Sequence, residues 1–174
     1  MDALKAMDNI ALTLFARNTN RLSIWVNEGC TIVQGDAMNF MEVKNAIIGQ
    51  DMVYINLAGN LEMMAKNIVK AMQANAVKRV IAISSIGIYN IPLKSVLIPY
   101  KKLADVIEAS GLDYTILRPD WFTNANEIDY AITQKGQPET GTVVSRKSIA
   151  AFVANIIMHP ELHVNANLGI SKPL

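Results

Sequence analysis

The sequence predicts an α/β chain built on a doubly wound parallel sheet, and three observations carry that prediction. Short apolar runs recur along all 174 residues, each closed by a glycine, asparagine or proline within a few positions. Between the runs lie stretches whose apolar residues fall at helical spacing. The stretch KRVIAISSIGIYN (78–90) is apolar at consecutive positions, then ends abruptly in two hydroxyls, a glycine and a tyrosine. A strand buried on both faces, as in a parallel sheet, reads this way.

The run IALTLFA (10–16) is the first visible strand and closes at Arg17 and Asn18. TIV (31–33) is the second, stopping at Gly35 and Asp36. Phe40, Val43 and Ile47 then recur at helical spacing; Asn39 with Glu42 three residues on has the form of a capping box, and Gly49 suits the far end. MVYINLA (52–58), closed by Gly59, is the next buried run. Leu61, Met64, Ala65, Ile68 and Met72 mark one face of the helix after it. Residues 79–84 follow as a strand, Leu103, Val106 and Ile107 as a helical stripe ending at Ser110 and Gly111, and 114–117 as a strand running into Arg118 and Pro119. Ile149, Phe152, Val153 and Ile156 mark a last helix with Pro160 beyond its end, and 167–171 suit a short final strand. Strict alternation implies a parallel sheet with helices on both faces, one domain over 1–174 and one crevice. The least regular segments, 17–30, 90–100 and 120–141, follow strand ends.

Composition narrows the function. Hydrophobic residues make up 51% and charged ones 18%, which suits a folded chain with a substantial core. A net charge of +1 without a Lys/Arg cluster argues against a nucleic-acid partner. Cys30 is the only cysteine, so no internal disulfide forms and a reducing cytoplasm is the expected compartment. No apolar run approaches the roughly 18 residues that span a bilayer, so no membrane partner is expected. His159 and His163 are four apart, but Pro160 breaks the helix that would align them and no third ligand is evident.

In open α/β sheets ligands bind beyond the carboxyl ends of the strands, so the residues there are the candidates. Arg17 and Asn18 close the first visible strand without an acid in FARN. In a dinucleotide fold an arginine at such a strand end accommodates the 2′-phosphate of NADP, where an acid would select NAD; an ordinary exposed arginine is the alternative. Asp36 and the backbone of Ala37 either touch an adenine or serve the turn before a helix. Leu57, Ala58 and Gly59 either let a ligand approach the backbone or merely form a turn. Ser84, Ser85 and Tyr89 are polar groups at the crevice, or hydroxyls that satisfy nearby backbone. Trp121 and Phe122 wall a pocket or pack in the core.

The segments LTLFARN (12–18), VQGDAMN (33–39), VYINLAG (53–59), VKRVIAISSIGIY (77–89), SGLDYTILRP (110–119) and VSRKSIA (144–150) resemble, in order and approximate spacing, the atypical short-chain dehydrogenase/reductases, specifically the small NmrA-like NAD(P)-binding group. The resemblance implies a Rossmann-like fold binding NADP(H), with NAD(H) as the alternative. By position it puts Arg17 and Asn18 at the adenosine phosphate end, Asp36 and Ala37 at the adenine, and Leu57, Ala58 and Gly59 along the middle. Ser84 and Pro119 complete the cofactor-binding set, and Ser85 stands near the nicotinamide with the aromatics behind.

Two departures stand out. The family's opening strand and glycine-rich phosphate loop are absent, and residues 1–7 look like the tail of the helix that follows that loop. In the 3-2-1-4-5-6 order the absent strand is central. Its loss strips both neighbours of partners, so the sequence is expected to be a fragment, a rebuilt sheet with another strand in the gap being the alternative. Secondly, Tyr100 has Ala104, and Tyr89 has Leu93, where a tyrosine–lysine pair needs lysine four residues on. Ser85, Tyr100 and Lys101 are the catalytic candidates. The expected function is an NADP(H)-dependent oxidoreductase of a small carbonyl or quinone-like compound. A non-catalytic redox sensor with a protein partner is the rival, and a domain that has lost its cofactor the third reading.

Overall fold

The computed structural model describes residues 2–5, 10–20, 22 and 29–174. Residues 1, 6 and 7 of the expected helix tail, and 21 and 23–28 of the first irregular segment, lie outside the described residues.

The described elements run α1 (Asp2–Lys5), β1 (Thr13–Ala16), β2 (Thr31–Gln34), α2 (Phe40–Ile47), β3 (Met52–Ile55), α3 (Leu61–Ala74), β4 (Arg79–Ile83), a single 3-10 turn, α4 (Ile98–Glu108), β5 (Asp113–Pro119), β6 (Phe122–Thr123), β7 (Ala131–Gln134), β8 (Val144–Ser145), α5 (Arg146–Met158) and β9 (Ala166–Ser171). Asn39 caps α2, its side-chain oxygen accepting from the amides of Met41 and Glu42. Glu42 departs from the expected box: its carboxylate takes the Asp36 amide at 2.7 Å and the Asn39 side-chain amide at 2.7 Å. That bond fastens the β2 exit to the helix it feeds.

The main sheet has the order β3-β4-β5-β9-β7, with β3, β4, β5 and β9 parallel. α3 and α4 cover one face through Leu61, Met64, Ile68, Leu103 and Ile107, which meet Val80, Ala82 and Ile116. α5 covers the other through Ile149, Phe152, Val153 and Ile156, which meet Ile81, Ile83, Leu117 and Leu168. Alternate residues of β4 and β5 thus feed opposite cores, as the period of two requires. At the foot of this block Arg79 is buried and donates to the carbonyls of Asp113 and Leu162 and to the Thr115 hydroxyl.

One expectation needs correction. The sheet is not wholly parallel: β7 lies antiparallel on β9, inside the segment 120–141 expected to be irregular, and β6 pairs with β8 in a small separate sheet. A four-residue edge strand, Ala-Ile-Thr-Gln before Lys135-Gly136, is too short for periodicity to announce it. Nor is the sheet continuous. β1 pairs only with β2, and β3 only with β4, so no described strand joins the two sheets. Between them runs a trench of about 1190 Å³, lined by residues 12–16 on one edge and 52–57 on the other. Among the described residues no strand fills the space between β1 and β3.

Candidate functional site at the carboxyl ends of the strands

The strands β1 to β5 each end at or just before a candidate residue. Arg17 and Asn18 follow β1 and are exposed. The Arg17 carbonyl accepts from the Gln34 side chain at 3.2 Å, which holds the exits of β1 and β2 side by side. Asp36 follows β2; its carboxylate accepts the Met38 amide at 2.9 Å and its carbonyl the Asn39 amide, so its polar groups serve the turn into α2. Ala37 is buried, and Asn67 on α3 donates to the carbonyls of Ala37 and Met38 at 3.0 and 2.9 Å. Asn67 lies two turns into the helix that leaves β3, so the β2 loop sits beside the β3 exit. There Ala58 and Gly59 are exposed, Gly59 at φ +110°, and a bare backbone of this kind admits close approach.

The exits of β4 and β5 stay zipped together. The Ser84 amide donates to the Leu117 carbonyl at 2.8 Å and the Ile86 amide to the Pro119 carbonyl at 3.1 Å. Ser84 is buried, its hydroxyl donating to the Tyr100 carbonyl at 3.0 Å, so it braces α4. Alternation turns Ser85 to the opposite face, the side of Ile83 and α5. Its hydroxyl is half-buried and donates to the neighbouring Ile86 carbonyl at 3.2 Å. Beyond Pro119, itself buried, Trp121 is 81% exposed and Phe122 48%. Arg146, the first residue of α5, sits over the Phe122 ring at 5.4 Å and lines the trench mouth with Phe122, Leu57 and Ile83.

The structure does not assemble the three catalytic candidates. Tyr100 lies in the first turn of α4 and packs against the α3–α4 core. Lys101 pairs with Asp105 on the same helix and lies 5.5 Å from the Tyr89 ring. Lys102 reaches across to Glu62 at 2.6 Å. Adjacent residues on a helix diverge by about 100°, so Tyr100 and Lys101 serve different faces. No tyrosine–lysine relay forms among them.

Tyr89, expected at the crevice, is elsewhere. The turn through Gly87, at φ +79°, folds it back under β5 and β9. Its hydroxyl accepts from the Asn167 side chain at 2.7 Å, and Arg118 and Lys135 lie 5.2 and 4.9 Å from the ring. Arg118 is 1% exposed; one guanidinium nitrogen is 3.1 Å from Glu139, an ion pair without hydrogen-bond alignment, and another donates to Asn167 at 3.3 Å. Glu139 in turn takes the Gly87 amide at 3.0 Å. This buried cluster fixes the loop that carries Ser85. Its pairing spans the chain from 87 to 167, and nothing local in the sequence announces it. Arg146 was missed too, although an arginine after a Ser N-cap at a strand-to-helix junction is a local signal; Ser145 does cap α5, accepting the Ser148 amide at 2.9 Å.

A rim of strand ends carrying a guanidinium, a bare glycine backbone, a hydroxyl and an aromatic shelf defines a nucleotide-binding Rossmann-like protein. The family model described as NAD(P)H-binding matches residues 1–160, so the chain belongs to that family. Among solved structures it is similar to a Rossmann-fold NAD(P)-binding family protein from Shigella flexneri, with 41% identity and a TM-score of 0.85 over 99% of this chain and 85% of that one. It shares its fold with a wide-type short-chain dehydrogenase/reductase from Veillonella parvula DSM 2008 in complex with NADP, at 23% identity and a TM-score of 0.87 over 99% and 87% of the two chains. ChuY, an anaerobilin reductase from Escherichia coli O157:H7, superposes with a TM-score of 0.85 at 18% identity over 99% and 89%. No curated protein is similar enough to the chain to match it.

Along the rim the described residues offer an exposed guanidinium at Arg17 and, at the other end, the Ser85 hydroxyl and the exposed Trp121–Phe122 shelf, groups whose chemistry suits such a cofactor. Between them the rim is interrupted by the trench mouth, so the pyrophosphate stretch has no glycine-rich turn among the described residues.

Proposed function

We propose that the chain is an NADP(H)-dependent oxidoreductase of the NmrA-like type, working in the cytoplasm on a small carbonyl or quinone-like compound. The observation that supports it most is the order of groups along one rim, from exposed Arg17 at the β1 exit to Ser85 and the exposed aromatics at the β4 and β5 exits. The NADP complex of the Veillonella protein and the reductase activity named for ChuY point the same way.

Bound NADPH would supply the hydride. This chain's residues bind and orient. Arg17 pairs with the 2′-phosphate in a fork geometry. Ala58 and Gly59 let the backbone meet the cofactor closely. The Ser85 hydroxyl, held rigid by the flanking bonds to Leu117 and Pro119, donates to the substrate oxygen and polarises it. Trp121 and Phe122 cover the reacting face and exclude water.

A second reading has one observation in its favour. Tyr100 and Lys101 are engaged separately, so these two candidates form no joint proton donor, as expected of a dinucleotide-binding sensor acting through a protein partner.

Titrating the purified protein with NADPH and NADH by fluorescence, then screening quinones and aldehydes for cofactor oxidation, separates the readings. Turnover is expected. Binding without turnover on any acceptor favours the sensor, and failure to bind either nucleotide overturns both. Arg17→Ala should weaken NADPH binding by about 1–3 kcal/mol, typical of a charged hydrogen bond, and leave NADH nearly unchanged. Equal losses would remove the assigned phosphate contact.

A further inference from the structure

The small sheet of β6 and β8 brings two unusual dipeptides together. Phe122 pairs with Val144 and Thr123 with Ser145, so Trp121 and Phe122 on one strand lie beside Arg146 and Lys147, which follow the other. Both rings are exposed, and together they make a contiguous apolar surface where a lone aromatic would need no explanation. Arg146 and Lys147 are exposed as well, and they open α5. A helix N-terminus is the positive end of its dipole and favours acids in the first turn. The first turn of α5 holds no acid and begins with two cations. A local rule broken at a rim points to function rather than stability.

The neighbours hold these cations in place without cancelling their charge. Arg146 donates to the Asn124 side-chain oxygen at 2.5 Å and Lys147 to that of Asn126 at 2.7 Å, both neutral. The acids nearest in the chain are engaged elsewhere. Asp120 accepts the Trp121 amide at 2.6 Å, and Glu127 accepts from Lys172 at 2.8 Å. The Lys172 ammonium is held up chiefly by that Glu127 bond, and Asp129 adds to the same field. The loop itself is fastened to α5: the buried Ser145 hydroxyl donates to the Glu127 carbonyl at 2.7 Å, and the Asp129 amide donates to the Ser148 hydroxyl at 3.0 Å. The result is a preformed aromatic shelf with a positive edge, the Arg146 guanidinium lying 5.4 Å from the Phe122 ring centre.

We propose that this shelf selects the substrate, a flat aromatic carbonyl or quinone that carries a carboxylate. Its ring stacks on Trp121 and Phe122. Its carboxylate meets the Arg146 guanidinium in the planar fork the two groups share, and Lys147 adds a second positive charge. Phe122 and Arg146 line the same mouth as Ile83, two residues before Ser85, so a ring on the shelf lies on the Ser85 side of the sheet. That this ligand is a substrate rests on the oxidoreductase reading above; that it is an aromatic acid rests on the shelf alone. The balance is quinone, NADPH and one proton to hydroquinone and NADP+, the hydride carrying both electrons.

The probes are anthraquinone-2-carboxylate and anthraquinone-2-carboxamide, which share the ring and the quinone and differ by one charge. Calorimetry on the 174-residue protein without nucleotide is expected to find the carboxylate bound about tenfold tighter, as a charge-assisted pair gives. Arg146→Gln should abolish that preference, Arg146→Lys should restore part of it, and Trp121→Ala should weaken both quinones alike. Melting temperatures of the three variants, all at exposed positions, show that the fold is kept. No binding of either quinone, equal affinity for the two, a preference that survives Arg146→Gln, or binding untouched by Trp121→Ala overturns the proposal. So does an equal loss of NADPH affinity in Arg146→Gln, which would give that guanidinium to the cofactor. Cofactor oxidation, followed after NADPH is added, tests the other reading separately. Charge preference without turnover overturns the oxidoreductase, and with it the substrate assignment, and leaves an aromatic-acid binding site. Turnover without preference overturns the charge selection and leaves the oxidoreductase.

Discussion

β3 and β4 are neighbours of similar composition with different surroundings. β4 has a strand on each side and a helix layer on each face, and all five of its residues are buried. β3 has one strand partner, and its other edge opens on the trench. The same contrast divides the molecule: β4, β5 and β9 form a closed block, whereas β1 and β2 connect to it through the packing of α2 on α3. Apolar composition makes a strand; paired edges on both sides bury it.

The sharpest way to break this comparison is through the charges of the closed block. Arg118 is buried against Glu139, Asn167 and the Tyr89 ring. Removing one partner of a buried ion pair strands the other, at a cost of about 3–5 kcal/mol. Arg118→Met should therefore lower the urea midpoint more than any change in β1 or β2. It should also loosen the Gly87 turn, because Glu139 holds both. A loss no larger than that of a surface substitution would mean the cluster is wet.

Paired truncations come next. Ile116 of β5 is fully buried, and Ile116→Ala should cost about 2–5 kcal/mol. Leu14 of β1 is only half-buried beside the trench. Leu14→Ala removes a similar volume from a site already open on one side and should cost about 1 kcal/mol, since no new sealed cavity forms. Equal urea midpoints for the two variants would show that β1 belongs to the closed core after all.

The closed block is also the part the sequence predicts well. KRVIAISS and DYTILRP are apolar at consecutive positions because both faces are covered, and that pattern marks β4 and β5 within a residue or two. Asn39 as a cap, Pro160 beyond α5 and the stripe through Leu61, Met64, Ile68 and Met72 all fall where expected. β3 is legible but too long in the sequence: MVYINLA suggests a strand to residue 58, and it stops at Ile55, where pairing with β4 ends. β7 escaped because an edge strand alternates weakly. The site divides the same way. Strand ends place Arg17, Asp36, Gly59 and Ser85 at the rim, since ends follow from local pattern. The position of Tyr89 depends on Gly87, Glu139, Arg118 and Asn167 acting together across the chain, which no local pattern encodes.

Two glycines extend the comparison to the backbone. Gly141 has φ +112°, and a Cβ there would lie 2.4 Å from the Ser171 hydroxyl and 2.5 Å from the Lys172 carbonyl, against the bridge that pairs Thr142 with Lys172. Gly49, at φ +74°, faces open space at the end of α2. Gly141→Ala should cost about 3 kcal/mol, strain and crowding together, and Gly49→Ala about 1 kcal/mol from the left-handed conformation alone. Thermal melts of the two variants measure the difference; a smaller loss for Gly141 would mean the β9 end yields easily.

The smallest expected effect lies at the surface of the closed block. Glu62 at the start of α3 accepts from Lys66 on its own helix and Lys102 on α4, both at 2.6 Å. Hydrogen bonds from Lys102 and then Lys66 hold its carboxyl down at about 2, against about 4.3 in an unfolded chain. A lowered carboxyl stabilises the fold above the unfolded value and loses that contribution as pH falls from about 4.3 through 2. The group is solvent-exposed, so salt screens the pair and the change in stability is small. Lys102→Met should return the Glu62 titration, followed by NMR, toward the ordinary carboxylate range while leaving the exchange rates of β4 and β5 unchanged. A titration that does not move would give the whole shift to Lys66 and detach α4 from the start of α3.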